Sequence, residues 1–152
     1  MKHKTTVLSL LLASGILFSE NVSAQDISPT HWSYESFMYA KDKGFIQGDQ
    51  YGNLNPDKSI SRAEFATIIV KALNLQLPDI VEEGTIKSFH DVSINNWFYH
   101  EVSVATYYGL IKGDDYGNFN PNDLVTREEM AVMLHRAVQH LQYDSIKFAL
   151  TF

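Results

Sequence analysis

Apolar positions along the chain fall into short clusters separated by turn-forming stretches, and the spacing within each cluster is helical. Trp32, Phe37 and Ala40 recur at roughly helical intervals behind Thr30, which can cap a helix, and Gly44 is placed to close it in a left-handed conformation. A second such segment runs from Asn95 through Trp97, Val104 and Tyr108 to Gly109. Two further helices open at Ser61 and Thr126. Ser61-Arg62-Ala63-Glu64 and Thr126-Arg127-Glu128-Glu129 both match a capping box, in which the hydroxyl accepts from the amide three residues on and the glutamate reaches back to the cap amide. Such a cap is worth about 1 kcal/mol. Ile60 with Phe65, and Val125 with Met130, occupy the positions of a hydrophobic staple. Between the helices, Gly48 to Pro56 and Gly113 to Pro121 are dense in Gly, Asp and Asn and predict compact loops, with Leu54 and Phe119 pinning them to the core. The pattern predicts an all-α protein of helix-loop-helix units.

These units are copies. Shifting the chain by 65 positions aligns 26–73 with 91–138 without a gap, with 18 identities in 48 pairs. The matched anchors include Asp26 and Asp91, Trp32 and Trp97, Gly44 and Gly109, Tyr51 and Tyr116, Pro56 and Pro121, Arg62 and Arg127, and Glu64 and Glu129. The organisation read from this is a first repeat over 25–73, a linker over 74–88, a second repeat over 89–138 and a tail over 139–152. In the tail, Ile146, Phe148, Leu150 and Phe152 alternate with other residues, which predicts a strand or an exposed adhesive segment.

The first residues follow another logic. Met1-Lys2-His3-Lys4 is basic, Val7 to Phe18 is largely apolar, and Val22-Ser23-Ala24 offers small residues for cleavage. Residues 1–24 therefore read as a secretory signal peptide, too short in its apolar part for the roughly 20 residues of a membrane span. No membrane insertion is expected after its removal. The chain of 152 residues has no Cys, which excludes a lipoprotein anchor and a disulfide scaffold. It carries 12 basic and 18 acidic residues, a net charge of −6. With no basic face to neutralise phosphates, nucleic acid is excluded as a general partner.

Candidate chemistry centres on the helix starts. A cation in the first turn of a helix faces the positive end of the macrodipole, yet Arg62 and Arg127 occupy that place in both copies. Two explanations stand open: an anion site, where amides and a guanidinium fork converge, or pairing with acidic neighbours. Asp49 with Asp57, and Asp114-Asp115 with Asp123, lack the alternating ligands and closing Glu of a calcium loop, so Asx turns account for them better. His31, His90, His100, His135 and His140 show no metal-ligand spacing. No nucleophile elbow, P-loop or dinucleotide turn is present, and neither a catalytic residue nor a cofactor is implied.

The order Asp-Val/Ile, Trp, Gly-Phe/Leu-Ile-x-Gly, Tyr-Gly-Asn-x-Asn-Pro, then Ser/Thr-Arg-Ala/Glu-Glu-Phe/Met resembles the S-layer homology repeat. The resemblance implies a spindle-like helical bundle of pseudo-threefold symmetry that holds a secondary cell wall polymer, often at a pyruvylated sugar, and a bacterial cell-surface location. The family's Thr-Arg-Ala-Glu motif falls on Ser61, Arg62, Ala63 and Glu64, and on Thr126, Arg127, Glu128 and Glu129. The polymer-binding residues expected from it are Ser61, Arg62, Glu64, Thr126, Arg127 and Glu129, with Trp32 and Trp97 as the aromatic faces for the sugar. Glu128 departs from the motif and puts a negative charge beside Arg127. Family members commonly carry three repeats and this chain shows two, so the bundle is expected to be incomplete or completed by a second copy or another protein with such repeats. The alternative function is a structural S-layer or envelope protein acting by self-association; a calcium-dependent adhesion module is a third reading.

Overall fold

The computed structural model describes residues 26–150, with side chains through residue 142. The signal-peptide reading over 1–24 lies outside the described residues. Four helices follow in order: α1 (Tyr34–Asp42), α2 (Arg62–Ala72), α3 (Tyr99–Tyr107) and α4 (Arg127–Leu150). The described residues hold no strand, only an isolated antiparallel bridge between Ser61 and Leu124, in keeping with the all-α expectation.

The helix starts at Ser61 and Thr126 are where the capping boxes put them. Ser61 Oγ accepts from the Glu64 amide at 3.2 Å while the Ser61 amide donates to Glu64 Oε2 at 2.8 Å. Thr126 and Glu129 repeat the exchange at 3.2 and 2.8 Å. α1 and α3 start later than Thr30 and Asn95. Before α1 the chain takes successive turns, with the His31 amide on Ser28 O at 2.8 Å and the Tyr34 amide on His31 O at 3.0 Å. Ser33 and Phe98, which precede the two helices, make no side-chain cap. Trp32 and Trp97 therefore sit in entry turns rather than on helices. Gly44 and Gly109 close α1 and α3 at φ of +72° and +68°, as the sequence predicts.

The strand reading of the tail is corrected over 139–150. Residues 139–150 continue α4 as helix, so they form no strand. No Gly or Pro follows Pro121, and Gln, Leu, Lys and Ala let a helix already nucleated at Thr126 propagate at little cost.

Each inter-helix loop is organised by two aspartates. Asp49 Oδ1 accepts the Tyr51 and Asn53 amides at 2.9 and 3.0 Å, and Asp114 Oδ1 accepts those of Tyr116 and Asn118 at 2.9 and 2.8 Å. From the head of each repeat, Asp26 takes the Leu54 and Asn55 amides, and Asp91 takes those of Phe119 and Asn120. At Asp49 and Asp114 the local bonds are the Asx-turn role expected of the loop acids, whereas Asp26 and Asp91 act across 28 and 29 positions. These bonds hold the carboxyls of Asp49 and Asp114 below the ordinary value, Asp114 at about 2, mainly through the Asn53 and Asn118 amides.

The core is displaced from the repeat boundaries. α2 packs against both α3 and α4. Its Ala63, Ala66, Ile69 and Val70 join Phe89, Val102, Val104, Leu110, Phe119 and Met133 in one cluster. α1 buries no residue. The linker is part of this packing: Leu75 and Leu77 lie against the cluster, and the Tyr108 hydroxyl donates to Gln76 O at 2.8 Å.

Candidate functional site at the junction of the repeats

The start of α2 is stitched to the loop before α4. The Arg62 amide donates to Asp123 O at 2.9 Å, the Ala63 amide to Pro121 O at 3.0 Å, and the Val125 amide to Ile60 O at 3.1 Å. Arg62, only 9% exposed, turns its side chain into the second repeat. Nε donates to Phe119 O at 2.9 Å, Nη2 reaches Lys112 O at 3.4 Å, and Nη1 meets Glu129 Oε1 at 2.5 Å. Its guanidinium lies 5.0 Å from the centre of the Phe119 ring, a cation–π distance. Of the two explanations for this arginine, pairing with an acidic neighbour is the one the geometry realises. The Thr126 amide first, then the Thr126 hydroxyl and the Arg62 charge, hold the Glu129 carboxyl below its ordinary value.

The identical Arg127 has the opposite surroundings. It is exposed, and its side chain makes no hydrogen bond or ion pair among the described residues. The acceptors that serve Arg62 come from the following repeat, and among the described residues none follows α4. The amides at the start of α2 are likewise spent on Asp123, Pro121 and Ser61, leaving none there for an anion.

Beside Arg62 lies an open groove of about 270 Å³, bounded by Arg62, Lys112, Gly113, Glu128, Val132 and Arg136 among others. Arg136 donates to Leu110 O at 3.3 Å, and Lys112 is exposed. The groove brings together Arg62 and Glu129 from the expected binding set. Ser61, Glu64 and Thr126 are engaged in their caps, and neither Trp32 nor Trp97 lines the groove. Both tryptophans are nonetheless surface residues, 91% and 65% exposed, so neither belongs to the core. The sequence reading missed Lys112 and Arg136, which occupy places where the first repeat has Gln47 and Lys71. A charge retained at the second of these was the available signal. Among the described residues no group of His, Cys, Asp or Glu is arranged to hold a metal ion, and no helix is long and apolar enough to cross a membrane.

Two helix-loop-helix repeats, each with an Asp-clamped loop and an Arg-bearing capping box, define a repeat module whose groove lies at the repeat junction. The description of the S-layer homology domain family matches residues 25–66 and 88–131, and the chain belongs to that family. Among its relatives are the surface-layer 125 kDa protein of Lysinibacillus sphaericus, 39% identical over 103 residues, and the S-layer protein of Bacillus licheniformis, 37% identical over 112 residues. An endoglucanase of Bacillus sp. (strain KSM-635) is 30% identical over 119 residues. These matches take in 68%, 74% and 78% of this chain but only 8%, 12% and 12% of the relatives' lengths.

Proposed function

We propose that the chain is a non-covalent anchoring module that binds a secondary cell wall polymer at the bacterial surface. The observation that carries the reading is the junction groove, where Arg62, Lys112 and Arg136 stand beside the carboxylates of Glu128 and Glu129. Mixed donors and acceptors suit the hydroxyls of a sugar, and the exposed Lys112 with Arg136 gives charge-assisted contacts to an acidic substituent such as a pyruvyl ketal carboxylate. In this reading Arg62 shapes the groove wall, Trp97 and Trp32 offer stacking faces outside it, and Arg127 supplies an exposed cation on α4. Relatives with such different names as S-layer protein and endoglucanase share this stretch as a small fraction of their length. A common attachment function accounts for that sharing better than a common reaction does.

The test is co-sedimentation of the purified chain with wall sacculi that retain or have been stripped of their secondary polymer. Pelleting with polymer-bearing walls alone is the expected result, weakened moderately by salt because part of the contact is ionic. Equal pelleting with both, or with neither, overturns the reading.

A further inference from the structure

In α2, the positions Arg62, Ala66, Ile69 and Leu73, spaced four, three and four apart, form the stripe that turns into the rest of the protein. The first three are buried and Leu73 packs on the core cluster. Their counterparts in α4, Arg127, Ala131, Leu134 and Val138, keep the spacing and the apolar character, yet all are exposed; Leu134 is at 46% and Val138 at 51%. The spacing continues to Leu141, at 47% exposed, which lies beyond the last position matched between the repeats. Alternating steps of three and four are the seam of a two-helix coiled coil.

We propose that this stripe is the contact between two copies of the chain, α4 against α4 of the second copy. Three features favour a second copy as the occupant. The stripe and the helix that carries it outrun the repeat pattern, α4 continuing to Leu150, so a helix of equal length covers what a partner of α2's 11-residue span leaves open. An acidic protein resists self-association by charge, but residues 130–143 contain no Asp or Glu, so two copies meet here without opposing carboxylates. Of the equivalent positions flanking the stripe, His135 and Gln142 carry no fixed charge, and Glu128 stands next to Arg127, so the charges at the start of the stripe are of opposite sign. A two-fold contact of this kind is self-complementary and closed. Two helices in contact along the stripe from Arg127 to Leu141, about 21 Å, bury an area at the low end for specific complexes, which makes the pair concentration-dependent. The inference does not rest on polymer binding, and it places Arg127, the exposed cation of that reading, at the end of the contact between copies.

Sedimentation equilibrium of the purified chain tests it. The weight-average mass is expected to rise from one copy to two across the micromolar range, without polymer. Leu134→Glu with Val138→Glu, checked for helix content by circular dichroism, is expected to hold the chain at one copy. Should the glutamates disturb folding, Leu134→Ala with Val138→Ala keeps helix propensity and is expected to weaken the pair at least tenfold. A single-copy mass at every concentration overturns the proposal. So does self-association that neither double variant changes, which would place the contact on another face.

Discussion

Arg62 and Glu129 stand 67 positions apart and join the first turn of α2 to the first turn of α4, the carboxylate using one oxygen for the arginine and the other for the Thr126 amide. One glutamate thus caps its own helix and holds the preceding repeat in place.

Replacing Arg62 by Ala leaves the Phe119 and Lys112 carbonyls without their side-chain donor and Glu129 without its counter-charge. A loss of about 2 kcal/mol in urea unfolding is expected. Arg127→Ala removes an exposed side chain and is expected to stay within about 0.5 kcal/mol of the parent. Wall binding should follow the same order, Arg62→Ala losing more. Equal effects of the two changes would mean that the junction contacts contribute little.

Phe119 is fully buried beneath the Arg62 guanidinium, whereas its counterpart Leu54 is half-buried. Phe119→Ala is expected to cost about 3–5 kcal/mol, and Leu54→Ala less than about 2. Thermal unfolding of the two variants side by side checks the ranking.

Two glycines of the second repeat separate strain from crowding. At Gly109 an added Cβ meets nothing, and only its φ of +68° resists a side chain, so Gly109→Ala should cost about 1 kcal/mol. At Gly113 the Cβ would lie 2.5 Å from Asn118 O and 2.6 Å from Phe89 Cε1, and Gly113→Ala should cost about 3 kcal/mol. Denaturant midpoints with unchanged slopes would report both losses directly.

The depressed carboxyl of Asp114, at about 2 against 3.8 for a free side chain, contributes to the acid limb of the stability curve. Protons bind the unfolded chain first, so its contribution is present above pH 3.8 and is lost as pH falls toward 2; Asp49 and Glu129 shift the same way. Melting temperatures should be level near neutrality and drop across that window. Asp114→Asn should flatten the drop by lowering stability at pH 7 more than at pH 2.

Much of this was legible in the chain itself. The repeat, both capping boxes, the closing glycines and the loop aspartates are local patterns whose hydrogen bonds run within a few residues, so spacing reveals them. The different fates of Arg62 and Arg127 were not legible, because their local sequences match and the distinction comes from which segment lies next to each in space. Thr30 and Asn95 misled for a related reason: both can cap a helix, but turns at Ser28 to Tyr34 and Ser93 to Tyr99 took up the backbone first. The alternation from Ile146 to Phe152 suggested extended chain because period alone ignores the helix already running into it. Lys112 and Arg136 are not legible from the repeat, because the copies differ at these positions, with Gln47 and Lys71 in the first.

α1 buries nothing while α2 packs on α3 and α4, so the unit that repeats in the sequence and the unit that holds together in space are half a period out of phase. A cut through the linker would yield one piece with α2's apolar face bare and another with the pocket that receives it empty. Shuffling such a protein in whole sequence repeats therefore parts α2 from the α3 and α4 it packs on unless the following repeat goes with it, and the piece that carries this packing intact is the second half of one repeat joined to all of the next.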